Sequence, residues 1–329
     1  MHNAPFIHTE KTYRAIMVDV LIALAPALVW SVFVFGARAI TIACLTVVFC
    51  VLFEYLARLI RNKFDFLKAL NEATDLSIVV TGLLAAFMLP VAIPLYLTVV
   101  AALFAVGVKQ AFGGTGKNIV NPAVFSALTV KLLFPSATSV FTQPYAYFNA
   151  FAPVLDGRLV EAYRVFSPFQ MLQKMDHVYE EGYADLFFGN SAGNIGEIAV
   201  LFILLGGGYL AYRRIINPRC GLAYLAVVFL LTFFFPGADS ETIYFTLTEL
   251  MSGGVVLLAV FACGDFTTTP KQDIGKLIFG AGCGILTVLI RYAYKSIDGA
   301  YVAVLIMNLM TPVIDRYTRK VPYGMLRRK

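Results

Sequence analysis

The residues best suited to chemistry form one glycine-rich stretch, 112–123, which lies between two apolar runs. Its glycines allow positive φ angles and a close approach of the backbone to another group. Pro122 cannot continue a preceding helix, so we expect it to open a new one as its first residue. A helix start offers free N–H groups and partial positive charge, which suit an anionic or carbonyl-rich ligand. The candidate binding residues are Gly113, Gly114, Lys117, Asn118 and Asn121. A plain tight turn between two helices is the alternative explanation.

Acidic side chains within or beside apolar runs are a second set of candidates, because an ionisable group is costly inside a membrane. They are Asp19, Glu54, Glu197, Glu249 and Asp265. Asp265 leads into a run of three hydroxyls that a proline ends. The hydroxyls belong to Thr267, Thr268 and Thr269. They could bond the edge of a polar ring system or cap the end carbonyls of a helix. For Asp19 and Glu54, a buried pair or an interfacial position is the alternative.

The sequence predicts no catalytic residue and no metal ligand. The three histidines lie outside the apolar runs, and the five cysteines are scattered singly without a C-x-x-C motif. Neither a zinc nor an iron–sulfur site is therefore encoded in local spacing. The sequence also lacks a nucleophilic triad, a P-loop and a dinucleotide-binding G-x-G-x-x-G motif.

The chain that must position these residues has the composition of an integral membrane protein. Its 329 residues are 59% hydrophobic and 14% charged, with a mean hydropathy of +0.77. Soluble domains average about 45–50% apolar and ~25% charged residues. The net charge of +6 is therefore no sign of nucleic-acid binding, and the expected environment is the lipid bilayer.

Apolar runs divide the chain into two similar halves. They lie at about 14–36, 38–57, 76–91, 93–110, 122–134, 196–212, 220–236, 244–263, 275–294 and 299–315. The predicted organisation is an N-terminal five-helix repeat over 1–134, an extracytoplasmic loop over 135–195 and a C-terminal five-helix repeat over 196–329. The predicted fold is an all-α integral membrane protein with about ten transmembrane helices. Because each repeat has five helices, the second repeat is inverted relative to the first.

The distribution of basic residues predicts the orientation in the membrane. Ten spans with the N-terminus inside place 19 of the 26 Lys and Arg residues on the cytoplasmic side, as the positive-inside rule requires. Both termini are then cytoplasmic, and the 135–195 loop lies on the outer face. Inverted repeats place their ligand site near the midplane, at short or broken helices. These features fit a transporter as well as a membrane-bound redox subunit.

Matches along nearly the whole chain carry a resemblance to a known family. They cover residues 16–20, 25–28, 75–90, 112–118, 121–123, 189–197, 252–254, 265, 268–271, 279–287 and 307–318. The chain resembles RnfD, the D subunit of the Rnf ion-translocating ferredoxin:NAD oxidoreductase complex. It is similar, more distantly, to NqrB, the B subunit of the sodium-pumping NADH:quinone oxidoreductase. The resemblance implies a ten-helix subunit that helps to pass electrons through flavins within a six-subunit pump.

The resemblance also implies an FMN esterified to a Thr hydroxyl in the outer loop. The family motif reads roughly Asp-x-x-Thr-Gly-Ala-Thr before a proline, and residues 161–168 are collinear with it. Ser167 falls on the acceptor position and Glu161 on the Asp. The Thr-Gly-Ala positions are held by Arg164, Val165 and Phe166. A Ser hydroxyl can form the same ester, but the recognition sequence is eroded, so we expect the loop to hold FMN loosely or not at all.

A second, non-covalent flavin, such as riboflavin, is implied among the helices, near the glycine-rich turn and the 265–269 segment. The leading hypothesis is a membrane subunit of an Rnf-like complex in a bacterial or archaeal cytoplasmic (inner) membrane. The complex would couple flavin-mediated electron transfer between ferredoxin and NAD to ion translocation, and its other subunits would be the partners of this chain. On this hypothesis the chain is a non-autonomous part of an oxidoreductase. The alternative is a transporter or channel-like protein on the same scaffold, without flavin electron transfer.

Overall fold

The computed structural model describes residues 12–66, 76–114, 116–146, 164–175, 182–237, 242–294 and 298–319. The first half contains helices α1 (Tyr13–Phe35), α2 (Ala37–Arg61), α3 (Ser77–Phe87), α4 (Tyr96–Ala111) and α5 (Pro122–Leu133). The middle contains α6 (Pro135–Thr138), β1 (Phe141–Thr142), β2 (Arg164–Val165), α7 (Pro168–Met175) and α8 (Tyr183–Phe188). The second half contains α9 (Val200–Tyr212), α10 (Arg219–Phe234), α11 (Thr242–Met251), α12 (Val255–Leu257), α13 (Asp273–Ala293) and α14 (Gly299–Thr318). A single π-helical turn, Leu258–Ala262, continues α12.

The chain is an all-α integral membrane protein, as predicted. Within the described ranges, α1, α2 and α13 are each long and apolar enough to cross a bilayer. Helix α11 and the α12 segment form a further candidate span, bent by 57° at the break between them. Every apolar run in the sequence contains a helix, but several of these helices have fewer than the ~20 residues that a full span needs. The count of ten spans and their inverted repeat therefore stay predictions.

The surface of the helical body is apolar, as lipid contact requires. Large hydrophobic side chains stand exposed on helices of both halves, among them Val29, Ile60, Leu205, Leu222 and Leu289. Polar and charged groups lie instead inside the body, where Arg38, Lys109, Glu249 and Arg291 are almost fully buried. This pattern reverses that of a soluble domain, in which charged side chains are almost never fully buried.

Helix α1 connects the two ends of the molecule. Tyr13, at its start, lies at the end that carries the glycine-rich turn, here named the turn end. The carbonyl of Val34, near its other end, accepts a hydrogen bond from the Tyr145 N–H at 2.8 Å, at what is here named the loop end. At 1.5 Å per residue the two positions are about 30 Å apart, which is the thickness of the hydrocarbon core.

Interrupted helices bring backbone ends into the body of the protein. Helix α3 has 11 residues, so it spans only about 16 Å. The carbonyls of Phe87 and Leu89 accept hydrogen bonds from the Gly196 and Ile195 N–H groups, at 2.8 and 3.0 Å. Residue 195 was predicted to end the outer loop and residue 196 to begin the next apolar run. In the structure both are buried against the end of α3 and satisfy its carbonyls. Such internal partners are what irregular backbone requires at membrane depth.

Glycine allows the closest helix contacts. Gly206 of α9 faces the carbonyl of Ala23 on α1, and Gly280 of α13 faces the carbonyl of Cys220 on α10. In both places a Cβ atom would collide with backbone that cannot rotate away. Because apolar side chains gain little by leaving lipid, membrane helices associate through such close packing of small residues.

Candidate functional site

A cavity of about 100 Å³ lies at the turn end and is here named the turn-side cavity. Helices α1, α3, α4 and α5 contribute to its wall, together with the turn that precedes α13. Its polar lining includes Ser77, Lys109, Asn118, Asn121, Asp265 and Thr267. The structure therefore brings together the two segments singled out from the sequence, although they belong to different halves of the chain.

The glycine-rich turn has the predicted backbone. Gly113, Gly114 and Gly116 have φ angles of 100°, 89° and 81°, a region that residues with a Cβ avoid. Pro122 is the first residue of α5, and the Asn121 side chain caps that helix by accepting from the N–H groups of residues 123 and 124 at 3.1 and 3.3 Å. The prediction of a new helix opened by Pro122 is confirmed.

The hydroxyls that follow Asp265 are used to build their own turn. Thr267 donates from its hydroxyl and its N–H to Asp265 Oδ1, at 2.8 and 3.0 Å, and Thr268 donates to Oδ2 at 3.0 Å. Thr269 donates to the Asp265 carbonyl at 2.5 Å. Burial raises the pKa of Asp265 above its usual range, and the Thr donors only partly offset that rise. These contacts agree with a turn-capping role for the three hydroxyls.

Asn308 of α14 joins the two segments. With its side-chain amide oriented to satisfy both neighbours, it accepts from the Asn121 N–H at 3.1 Å and donates to the Thr268 carbonyl at 3.2 Å. Thr311, one turn further along α14, donates to the same carbonyl at 2.9 Å. Asn308 is fully buried, so it fixes the start of α5 against the 265–269 turn.

The predicted site residues divide into two groups. Asn118, Asn121, Asp265 and Thr267 line the turn-side cavity. The other five, Gly113, Gly114, Lys117, Thr268 and Thr269, lie outside its lining. The Oδ1 atom of Asn118 is buried and has no hydrogen-bond partner among the described residues. Asn118 is therefore the predicted residue best placed to meet a ligand.

Sequence reasoning missed Lys109 and Ser77. The Lys109 ammonium is 1% exposed, donates to Ser77 Oγ at 2.8 Å and lies 3.9 Å from Glu54 Oε1. From the sequence, Lys109 is one of the cytoplasmic charges, because it stands at the end of an apolar run. Glu54 lies two runs earlier in the chain, so no local pattern pairs the two residues. Glu54 also accepts from Arg58 at 2.6 Å and from Gln110 at 2.7 Å.

Asp19 belongs to a partly buried interhelical contact. Its carboxylate accepts from the Tyr209 hydroxyl at 2.7 Å and from Arg213 at 3.1 Å. Both partners belong to the second half of the chain, at the end of α9, and the Arg213 side chain is 45% exposed. The contacts of Glu54 match the buried pair that the sequence left open as an alternative.

A larger cavity, of about 520 Å³, lies at the loop end and is here named the loop-side cavity. Ser167 lines it, together with Gln170 and Gln173 of α7. Ser167 Oγ accepts from the Gln170 N–H at 3.2 Å, and the Gln170 side chain accepts from the Ser167 N–H at 3.4 Å. With Pro168 as the first helical residue, this is a capping box. Glu161, the other matched position of the attachment motif, lies outside the described residues.

Charged and polar groups line the deeper wall of the loop-side cavity. They are Lys131, Asn194, Glu197, Ser252, Asp298 and Tyr301. The Lys131 ammonium lies 3.8 Å from Glu197 Oε1 and 3.7 Å from the centre of the Tyr301 ring. From the sequence, Lys131 is one of the outer charges, because it stands near the end of an apolar run. That position gives no signal of a buried partner.

The two cavities differ in what they can hold. Small-molecule sites usually enclose about 300–1,000 Å³. The loop-side cavity, at about 520 Å³, is within that range. The turn-side cavity, at about 100 Å³, is not, so a flavin there would require its lining to move. In the described part of the chain, no three His, Cys, Asp or Glu side chains are grouped to hold a metal ion.

Comparison with known proteins identifies the family. The chain matches the NQR2, RnfD, RnfE family over residues 1–324. It belongs to this family. The resemblance stated from the sequence is confirmed.

Relatives match this chain from end to end. The D subunit of the proton-translocating ferredoxin:NAD(+) oxidoreductase complex of Clostridium ljungdahlii is 31% identical, over 98% of this chain and 95% of the relative. The D subunit of the Na(+)-translocating ferredoxin:NAD(+) oxidoreductase complex of Acetobacterium woodii is 32% identical, over 99% and 96%. The D subunit of the ion-translocating oxidoreductase complex of Stutzerimonas stutzeri is 31% identical, over 94% and 91%.

Proposed function

We propose that this chain is the D subunit of an Rnf-like complex, which couples electron transfer between ferredoxin and NAD to ion translocation. The observation that carries the proposal is the match to the two D subunits of ferredoxin:NAD(+) oxidoreductase complexes. Each alignment covers at least 95% of this chain and at least 95% of the relative. Its partners are the other subunits of the complex. Its location is the cytoplasmic (inner) membrane of a prokaryote, with both termini inside.

A direct test isolates the chain from its native membrane. The source cell carries an affinity tag on this chain, and the membranes are dissolved in a mild detergent. Mass spectrometry of the purified material should find the other subunits of an Rnf-like complex, and the absorption spectrum should contain flavin bands. A chain that purifies alone, from membranes whose complex remains assembled without it, would refute the proposal.

We further propose that the loop-side cavity holds FMN. Its volume fits, and Gln173 Oε1, Asn194 Oδ1 and Ser252 Oγ are buried there without a hydrogen-bond partner among the described residues. The two amide oxygens can only accept, so either would suit an N–H group of a flavin ring, whereas the Ser252 hydroxyl could donate to a ring carbonyl. Lys131 adds a positive charge. The flavin would supply one- and two-electron chemistry, while the protein supplies position, exclusion of water and electrostatics.

Whether FMN is covalently attached to Ser167 can be tested separately, by flavin fluorescence in a denaturing gel. Because Ser167 is engaged in the capping box, we expect FMN to be held without an ester. A denatured gel of the complex should then show no fluorescence at the position of this chain. A fluorescent band that disappears in Ser167→Ala would establish the ester at Ser167, and a band that survives would place it elsewhere.

A second flavin, non-covalent and of the riboflavin type, is proposed at the turn-side cavity, with Asn118 and Thr267 nearest to it. The volume of that cavity makes this the weaker of the two assignments. Asn118→Leu should lower the flavin content of the purified complex by one equivalent, with no loss of folded protein. An unchanged flavin content in that variant would remove the assignment.

The alternative function is a transporter or channel-like protein on the same scaffold. The observation that favours it is the use of Ser167 as a helix cap, together with Arg164 and Phe166 in place of the small residues of the attachment motif. A purified complex without any flavin, combined with ion flux in vesicles, would support this alternative over electron transfer.

A further inference from the structure

Five charged groups lie in or beside the lining of the loop-side cavity and are here named the loop-side ion cluster. Lys131, Glu197 and Asp298 line the cavity. Arg291, outside the lining, pairs with Asp298 and with Glu249. The side chains of Arg291 and Glu249 are 0% and 1% exposed, and those of Glu197 and Asp298 are 5% and 7% exposed. The charges that interact with Glu197 are those of Lys131, Asp298 and Arg291.

Two of the three carboxylates are fully engaged. Arg291 donates to Glu249 Oε2 at 2.5 Å and to Asp298 Oδ1 at 2.9 Å. Asp298 also accepts from the N–H groups of Gly254 and Ala300, at 2.8 and 3.1 Å. These are charge-assisted bonds to the ionised form of each carboxylate. Arg291 therefore favours the ionised form of both Glu249 and Asp298.

Glu197 is different. Asn194 donates to its Oε2 atom at 2.6 Å, but its Oε1 atom has no hydrogen-bond partner among the described residues. Lys131, at 3.8 Å, is too far from Oε1 for a hydrogen bond. Three further buried polar atoms on the same wall have no partner either: Asn194 Oδ1, Ser252 Oγ and Tyr301 OH. Each of their residues is at least 95% buried.

The charge of the cluster does not balance. Among the described side chains it holds three carboxylates and two cations, so the fully ionised cluster has one excess negative charge. An uncompensated charge removed from water is costly, and a titratable group in that position takes up or loses a proton instead. One proton on a carboxylate neutralises the cluster. A protonated Glu197 would also turn its unpartnered oxygen into a donor, in a cavity whose lining includes polar atoms without a partner among the described residues.

We propose that Glu197 binds and releases one proton and exchanges it with the loop-side cavity, with Lys131 as its counter-charge. The step is a simple equilibrium: the carboxylate takes a proton from water in the cavity and becomes the neutral acid. The inference does not depend on a flavin in the cavity, so it can fail or succeed separately from the proposed function.

The test is infrared difference spectroscopy of the purified complex as a function of pH. The wild type should show the C=O stretch of a protonated carboxyl that disappears as pH rises. Glu197→Gln, which keeps the shape of the side chain, should abolish that band. Asp273→Asn is the control, because it removes an exposed carboxyl outside the cluster, and it should leave the band and its midpoint unchanged. Glu249→Gln removes the excess negative charge of the cluster and should move the midpoint of the band to lower pH.

A second variant separates protonation from a purely structural role. Lys131→Met removes the positive charge nearest to Glu197 and should move the midpoint of the band to higher pH by about one unit or more. This shift is measurable even if Glu197→Gln does not fold. A wild type without the titrating band, a band that survives Glu197→Gln, or a midpoint unmoved in Lys131→Met would each overturn the proposal.

Discussion

The buried guanidinium of Arg291 should be the most stabilising single charge at the loop end. It donates to two carboxylates and also to the carbonyls of Glu249 and Ser252, at 2.7 and 3.1 Å. Those carbonyls lie where α11 ends before the break, so no continuing helix can satisfy them. Arg291→Met keeps much of the apolar volume and removes all of these donors.

The expected loss follows from what is left behind. Removing one partner of a buried ion pair costs about 3–5 kcal/mol, because the remaining charge is buried without compensation. The carbonyls that lose their donor add to this loss of stability, but proton uptake by one of the carboxyl groups reduces it. We therefore expect Arg291→Met to lower the free energy of unfolding by about 3–5 kcal/mol.

The matched control is Arg219→Met. Arg219 pairs with Asp273, but the two side chains are 53% and 56% exposed, and exposed pairs contribute about 0–1 kcal/mol. Both variants are unfolded with SDS in mixed micelles and followed by loss of helical circular dichroism. The double variant Arg291→Met with Glu249→Gln should recover part of the loss, since it removes one of the orphaned charges. If Arg291→Met is no less stable than Arg219→Met, the interpretation that Arg291 stabilises the loop end through its buried hydrogen bonds is wrong.

Three further predictions concern helix contacts and caps. Gly206→Ala should lower the free energy of unfolding by about 1–3 kcal/mol through overpacking against the Ala23 carbonyl. Its control is Gly208→Ala, where the new Cβ meets open space, and this variant should be neutral or stabilising. Equal melting temperatures of the two variants would contradict the prediction. Ser167→Ala should cost about 1 kcal/mol of cap stability and speed amide exchange in α7, and Ser167→Thr should not; indistinguishable exchange would count against the capping box. Asn308→Leu should cost about 1–3 kcal/mol for each backbone group it leaves unpaired, measured by thermal unfolding; a loss below that would mean that the bridge contributes little.

The features predicted correctly from the sequence are those that depend on local rules. Pro122 and the asparagine before it specify a helix start by themselves, because a proline at the first position and an amide cap need no distant partner. The positive φ angles of the glycines are local in the same sense. Apolar composition over long windows was equally sufficient to identify a membrane protein.

The features that escaped prediction depend on partners far along the chain. Lys109 and Lys131 stand near the ends of apolar runs, where a charge is normally solvated. Only the fold shows that each meets a buried carboxylate, at 3.9 and 3.8 Å. The short helix α3 was visible as a short run, but its cover, residues 195 and 196, comes from beyond the middle segment. No periodicity within either segment encodes that pairing.

The two cavities are connected by one helix pair, α5 and α14, which pack against each other. At the turn end this pair is joined through Asn121 and Asn308, and at the loop end through Lys131 and Tyr301. Asn121 and Lys131 are ten positions apart on α5, so the two joints are separated by about 15 Å along it. The pair also brings together the two halves of the chain. Each joint connects a residue of one half of the chain to a residue of the other, so a displacement of one half against the other would alter both joints.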